Sequence, residues 1–324
     1  MTPVFMMMWA ALAATTGSVD IQHVACLQDG TVVGNDGRFA LRRWRDGAWG
    51  PAEGAIEARE LWTSSTGQVY VRGGRTGMAL LKPDMSAQEV RLPPTGTGSL
   101  TFSADSAGDL SLASTDKIFR LTADGTTSEV GEPPRVEPTL KFRPSQPPVV
   151  FSTAHGWIAC FPGSPFEIDH GMKGVCVKPE PSRYEYRVDF GRYSDRTRAA
   201  PFVCGDALVS SVGDQSQARR LSDGHRVGQV RGPARMGSRC LPDGRPLLVG
   251  PLELRFFEGS ELKRLRVESV RGRIRDVAMC RKQAAVLLED STIVLIDAPT
   301  TVGAPHPGAT GRPQARSSAS THAP

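Results

Sequence analysis

Apolar and polar residues alternate in short runs along most of the chain, and turn-forming residues cut those runs at close intervals. His23–Trp49 (HVACLQDGTVVGNDGRFALRRWRDGAW) shows the plan best. His23–Leu27 reads as one strand and Asp29-Gly30 as a tight turn. Thr31–Val33 reads as a second strand, followed by the turn Gly34-Asn35-Asp36-Gly37. Phe39–Trp44 reads as a third strand, closed by Asp46-Gly47 before Trp49. Asp-Gly and Asn-Asp-Gly supply the positive-φ positions that tight hairpins need. A sheet this small cannot bury both faces alone, so it needs neighbours of its own kind.

The neighbours follow in order. Leu61–Pro93 repeats the plan with a glycine turn at Gly73–Gly77. Ser99–Gly125 repeats it again and ends on Asp124-Gly125. Gly47 and Gly125 stand 78 residues apart, two steps of about 39, and a period near 40 with several strands per unit predicts a propeller. Regular copies return at Pro201–Gly224, Ser238–Val267 and Asp276–Ile296. The last stops after three strands. Val4–Ala11 is the spare apolar run, and its expected place is the outer strand of that last blade. The expected fold is therefore all-β: a single propeller of about seven four-stranded blades over 1–298, closed by the N-terminal strand. The tail 299–324 is Pro/Gly/Ser/Thr-rich without an apolar period and is expected to be disordered.

One region leaves the period. Gly125 and Gly224 are 99 residues apart, about 20 more than two repeats, and the excess falls at about 162–198. Within it, Tyr184, Tyr186, Val188 and Phe190 would share one strand face and Arg183, Glu185, Arg187 and Asp189 the other. That pattern suits the fourth strand of an ordinary blade. It equally suits an insertion carrying a binding face, because Tyr and Arg are enriched at interface hot spots. Arg183, Tyr184, Arg187, Arg192, Tyr193 and Arg196 are the candidate binding residues.

Gly34-Asn35-Asp36-Gly37 and Trp44-Arg45-Asp46-Gly47-Ala48-Trp49 carry a resemblance. Residues 19–298 resemble bacterial β-propellers of the WD40, YVTN and sialidase-type (Asp-box-like) repeat superfamily. No copy has a Trp-Asp pair at a strand end or a full Ser-x-Asp-x-Gly-x-x-Trp box. The resemblance implies a scaffold that commonly binds other molecules and in some members is an enzyme.

Composition adds little to this. The net charge of +5 comes mostly from arginine, which suits a solvated rim as well as it suits an acidic partner. The basic stretches Lys263–Lys282 and Arg183–Arg198 alternate with other residue types as exposed strands do. Val4–Ala14 has the length of a leader's apolar core, but no Lys or Arg precedes Arg38. The strand reading, and with it the cytoplasm, is favoured over a cleaved leader. The run is too short to span a bilayer.

The cysteines are the most ordered candidate chemistry. Cys26, Cys204, Cys240 and Cys280 each end the first strand of a copy. They are expected to be buried, reduced thiols without a metal, since free Cys behaves as a small hydrophobe; a thiol ring binding a soft metal is the alternative. Cys160 and Cys176 flank the irregular segment and could pair in an oxidising compartment. Histidines are sparse, no GxSxG elbow or CxxC pair occurs, and Asp169-His170, Asp206 and Ser210 or Ser211 form only a nominal triad. Gly73-Gly74-Arg75-Thr76-Gly77 lacks the Gly-Lys-Ser/Thr ending of a phosphate loop and reads as a hairpin turn.

The expectation is a non-catalytic binding scaffold for a protein or peptide, acting as a monomer without cofactor, metal or nucleic acid. The alternatives are a propeller enzyme, hydrolase or lyase, with carboxylates and histidines converging at a channel mouth, and an extracytoplasmic ligand-binding propeller.

Overall fold

A computed structural model describes residues 19–54, 56–64, 67–73, 77–93, 100–104, 110–122, 124–133, 147–153, 156–162, 173–177, 185–189, 201–212, 215–231, 239–250, 252–258, 261–265 and 272–298. All the regular structure in them is β. The strands fall into seven antiparallel units in chain order. Blade 1 holds β1 (Ile21–Cys26), β2 (Val32–Asp36), β3 (Leu41–Arg45) and β4 (Ala48–Glu53). Blade 2 holds β5 (Glu60–Thr63), β6 (Val69–Arg72), β7 (Met78–Leu81) and β8 (Ala87–Val90). Blade 3 holds β9 (Thr101–Ala104), β10 (Leu110–Ala113), β11 (Ile118–Leu121) and β12 (Thr127–Gly131).

Blade 4 holds β13 (Val149–Thr153), β14 (Gly156–Pro162), β15 (Lys173–Val177) and β16 (Glu185–Asp189). Blade 5 holds β17 (Phe202–Cys204), β18 (Ala207–Val212), β19 (Gln215–Arg220) and β20 (Arg226–Arg231). Blade 6 holds β21 (Arg239–Cys240), β22 (Pro246–Val249), β23 (Leu254–Glu258) and β24 (Glu261–Leu265). Blade 7 holds β25 (Ile274–Cys280), β26 (Gln283–Leu288) and β27 (Ile293–Asp297), three strands among the described residues. A single bridge, Asp189 to Ser211, joins the sheets of blades 4 and 5. First strands contact one another around the ring, from β1 through β5, β9, β13, β17, β21 and β25 back to β1.

The apolar pattern becomes intelligible in this ring. Each blade packs on both faces, so successive side chains of one strand enter different seams. In β6, Val69 and Val71 join the core between blades 1 and 2, while Tyr70 joins the core between blades 2 and 3. Seven such cores fill the seven seams among the described residues. That is why second strands such as Val69–Arg72 and Leu110–Ala113 are almost wholly buried. Outer strands such as Ala87–Val90 keep one inward residue and expose the rest.

The Asp-Gly signals mark one recurring turn. The side-chain Oδ1 of Asp29, Asp84, Asp124, Asp223, Asp243 and Asp290 each accepts the backbone N–H two residues on, at 2.8–3.1 Å. The residue between has positive φ: Gly30, Gly125, Gly224 and Gly244, but also Met85 and Ser291. At Asp124 the hydroxyls of Thr122 and Thr126 add to this and hold the carboxyl down at about 2.

Gly34-Asn35-Asp36 is not a turn. These residues continue β2, and the turn comes at Gly37–Phe39, where Phe39 takes positive φ. Gly34 is required there for another reason. A Cβ on it would lie 2.8 Å from Ile21 and 2.9 Å from Trp49. Asp36 instead caps the turn, accepting N–H from Arg38 and Ala40 and the Arg42 guanidinium at 2.8 Å.

The four repeat-locked cysteines are not thiols, contrary to the expectation. All six cysteines are paired: Cys26–Cys280, Cys160–Cys176 and Cys204–Cys240. First strands of adjacent blades lie side by side, so equivalent positions come within 5.2 Å and 5.3 Å between Cα atoms. The repeat that suggested a ring of thiols brings them together in pairs across two seams. Cys26, Cys204 and Cys280 are buried and Cys240 half-buried. The stretch Val4–Ala11 lies outside the described residues, as does the tail 299–324.

Candidate functional site

Among the described residues, polar side chains gather where blades 6, 7 and 1 meet at the inner ring. Asp276 on β25 is 1% exposed. Its Oδ2 accepts the Val24 N–H at 3.0 Å and its Oδ1 the Val277 N–H at 2.9 Å. His23 on β1 approaches Oδ2 at 3.6 Å, and Arg239 on β21 approaches Oδ1 at 3.8 Å; both are about one-third exposed. Burial alone would push the Asp276 carboxyl up. His23, Arg239 and the Val24 amide outweigh it and hold the carboxyl below its ordinary value.

Asn35 extends the cluster, accepting the His23 N–H through Oδ1 at 3.0 Å and donating to the Ala58 carbonyl at 2.7 Å. The same seam is stitched elsewhere. Ile21 N–H donates to Ser291 Oγ at 2.9 Å, Trp49 Nε1 donates to the Ser291 carbonyl at 2.7 Å, and Arg275 bonds Asp20 and the Ile21 carbonyl. Both Asp276 oxygens are engaged by backbone amides and closed to solvent. Its chemistry is to tie three blades and to orient His23 and Arg239. Sequence reasoning passed over Asp276; the signal available was an acid leading directly into the apolar run of the first strand IRDVAMC.

A shallow cavity of about 320 Å³ opens at the outer rim of the same seam, lined by Val32, Trp44 and Leu295 with Arg45 and Asp46 at its edge. Leu295 on β27 is 41% exposed.

The candidate binding residues are only partly placed. Arg187 stands on β16 opposite Val175, and Tyr186 on the same strand stands opposite Cys176. Arg183, Tyr184, Arg192, Tyr193 and Arg196 lie outside the described residues. Of the strand read over Tyr184–Phe190, Glu185–Asp189 is present as the fourth strand of blade 4, and Tyr184 and Phe190 lie outside the described residues. The nominal triad does not assemble among the described residues: Asp206 sits in the β17–β18 turn against Ser222, whereas Ser210 is buried within β18. Asp169 and His170 lie outside them. The glycine loop is a hairpin turn, with Gly73 N–H donating to the Gly77 carbonyl. In the basic stretch, Lys263, Arg264, Arg273 and Arg275 pair with Glu261, Glu253, Glu289 and Asp20.

No protein-family model and no curated protein sequence matches the chain. Solved structures do match its shape. Virginiamycin B lyase from Staphylococcus aureus aligns over 88% of this chain and 97% of its own, with 12% identity and a TM-score of 0.52. YCF48 bound to D1 peptide aligns over 88% and 93%, with 13% identity and a TM-score of 0.51. BBS1N in complex with ARL6DN aligns over 88% and 93%, with 11% identity and a TM-score of 0.51. At these identities the likeness is one of fold, and the propeller is the property shared.

Proposed function

We propose that the protein is a non-catalytic binding propeller of an oxidising compartment, which holds its loops rigidly for a protein or peptide partner. One observation carries this reading: every cysteine is paired, and two of the three disulfides weld neighbouring blades. Disulfides form and persist outside the reducing cytosol, which weighs against the cytoplasm. Cross-links between blades stiffen the ring relative to itself, which suits loops held ready for a partner. The same fold carries a D1 peptide in YCF48 and ARL6DN in BBS1N, so the architecture is suited to such work. The Asp-turn repeats support kinship with Asp-box-like propellers.

We assign the partner's face to the segment that departs from the repeat, through Arg183, Tyr184, Arg187, Arg192, Tyr193 and Arg196. Insertions on a repeat scaffold usually emerge on one face. The test is a pull-down from extracytoplasmic extract with wild type and Arg192→Glu/Tyr193→Ala/Arg196→Glu. The folded triple variant should lose the partner; full retention would remove this face.

The enzyme reading stands second. His23, Asp276 and Arg239 do converge from three blades, as it requires, but the carboxylate is spent on the amides of Val24 and Val277.

A further inference from the structure

Four large apolar side chains stand exposed among the described residues: Phe39, Val130, Leu252 and Leu295. Phe39 and Leu252 share one end of the ring. Strands alternate in direction within each blade, so first strands begin at the end where the turns between second and third strands lie. The Phe39 turn is fastened there. Gly37 N–H donates to the Asp20 carbonyl just before β1, and Ala58 N–H donates to the Phe39 carbonyl just before β5. Leu252 sits in the matching turn of blade 6, between β22 and β23, and is 70% exposed. Blades 1 and 6 also supply His23 and Arg239 to the two oxygens of Asp276.

Phe39 carries the argument furthest. Its φ is +64°, a left-handed conformation that strains a bulky side chain. Met85 accepts the same strain, but Met85 is buried in the core between blades 1 and 2. Phe39 belongs to none of the seven cores and is 37% exposed. Burial in the fold therefore does not offset its strain. The Arg59 guanidinium stands 5.1 Å from its ring centroid and braces the ring from one side. A strained, exposed and braced aromatic ring is suited to a contact outside the fold.

The chemistry beside it suits an anion. The Val24 and Val277 amides engage both Asp276 oxygens, and the carboxyl is closed to solvent. His23 and Arg239 are each about one-third exposed, so the solvent side of the cluster is an imidazole and a guanidinium. With Nδ1 toward Asp276, His23 keeps Nε2 for a ligand. Acids at this end of blades 7 and 1 are engaged elsewhere: Asp20 with Arg275, Asp36 with Arg42, Glu289 with Arg273, and Asp290 with the Thr292 amide.

We infer that this end of the ring binds an acidic peptide segment. Its carboxylate side chain meets His23 and Arg239, and its neighbouring apolar side chains rest on Phe39 and Leu252. The inference rests on the peptide-binding reading proposed above and supplies the partner's chemistry. Guanidinium groups hold carboxylates through paired N–H donors, and apolar contacts around such a pair keep water from it.

The test pans the full chain, with its three disulfides formed, against a phage-displayed library of short random peptides. Enriched peptides should carry an Asp or Glu flanked by Leu, Ile, Phe or Met. Acetylated and amidated synthetic copies, which leave the side chain as the only carboxylate, are then titrated. Arg239→Gln and His23→Gln should each weaken binding about tenfold. Changing the peptide's acid to its amide should cost wild type as much and should cost Arg239→Gln little. Phe39→Asn separates binding from folding. Asparagine accepts positive φ, so Tm should hold or rise while affinity falls about tenfold. The inference is overturned if no peptide is enriched, if the enriched peptides lack an acid, or if Arg239→Gln or Phe39→Asn binds as wild type does. A fall in Tm for Phe39→Asn overturns it too, because the ring would then serve the fold. A partner caught in the pull-down despite these failures refutes this chemistry and leaves the binding reading standing; failure of both experiments refutes both.

Discussion

The disulfide at the ring's closing seam should dominate stability, and loop length says by how much. Cys26 and Cys280 are 254 residues apart, Cys204 and Cys240 are 36 apart, and Cys160 and Cys176 are 16 apart. Cross-linking removes denatured-state entropy that grows with the logarithm of the loop. The three bonds are then worth about 5.5, about 4 and about 3 kcal/mol. The perturbation is a set of double variants, Cys26→Ala/Cys280→Ala, Cys204→Ala/Cys240→Ala and Cys160→Ala/Cys176→Ala. Alanine avoids burying an unpaired hydroxyl. Each variant removes the same atoms, so packing losses largely cancel and the loop term sets the order. Guanidinium unfolding at equilibrium reads it. The first variant should show the lowest midpoint and also the largest m-value, because its unfolded chain is the least constrained. If the Cys160/Cys176 variant is the least stable of the three, the entropic reasoning fails. If thiols react in guanidinium without reductant, the pairing itself fails.

Other consequences follow from single side chains. Gly228 on β20 lies under Phe257 of blade 6, and a Cβ there would stand 1.9 Å from the ring. Gly228→Ala should cost about 1–3 kcal/mol by overpacking, and Phe257→Leu should recover part of it; an unchanged midpoint would show that the seam yields. Asp276→Asn should cost about 2 kcal/mol near neutral pH, because one buried amide loses its acceptor. Asp276 is held below 3.8 in the fold. Its contribution is therefore complete above the unfolded value and is lost as pH falls through the folded one. The gap between wild type and Asp276→Asn should close below 3.8, and parallel pH profiles would show that the carboxyl is uncharged in the fold.

Much of this architecture could be read from the chain, because a propeller writes its period into its turns. The aspartates at 29, 124, 223 and 243 precede glycine and were visible as signals. Those at 84 and 290 make the same turn with Met85 and Ser291 at positive φ, where no glycine advertises it. Gly34-Asn35-Asp36 misled for the opposite reason. Gly34 is there to admit Ile21 and Trp49, and Asp36 to cap a turn farther on. The cysteines show the sharpest limit. Their positions betrayed the repeat, but whether equivalent strand ends face a common channel or each other depends on how first strands pack sideways. No periodicity within one chain contains that distance. The Asp276 cluster was illegible for a similar cause: its partners come from positions 23, 24 and 239, joined only by ring closure.

Ring closure also explains why the stitching is uneven. Six seams join blades adjacent in sequence, where bringing two units together closes a loop of about 40 residues and costs about 3 kcal/mol beyond a constant. The seam between blades 7 and 1 closes some 254 residues, and the same relation puts it at about 5 kcal/mol. It is also the one seam between blades that do not follow one another in the chain. That seam carries a disulfide, the buried Asp276, the Ser291 hydroxyl and carbonyl, the Trp49 indole and the Arg275 guanidinium. Among the described residues, the seam between blades 3 and 4 is joined by an apolar core, by the Thr101 and Ser103 hydroxyls donating to carbonyls, and by Arg120, which donates to Ser152 Oγ at 3.2 Å and stands over Trp157. The covalent and polar ties at the seam of blades 7 and 1 thus stand where the entropy of closure is largest. The seam of blades 5 and 6 carries the second disulfide beside the backbone contact of Gly205 with Gly244 and the Phe257 ring packed on Gly228. There, small residues let two blades approach closely, and the covalent bond holds an approach that side-chain packing alone would leave thin.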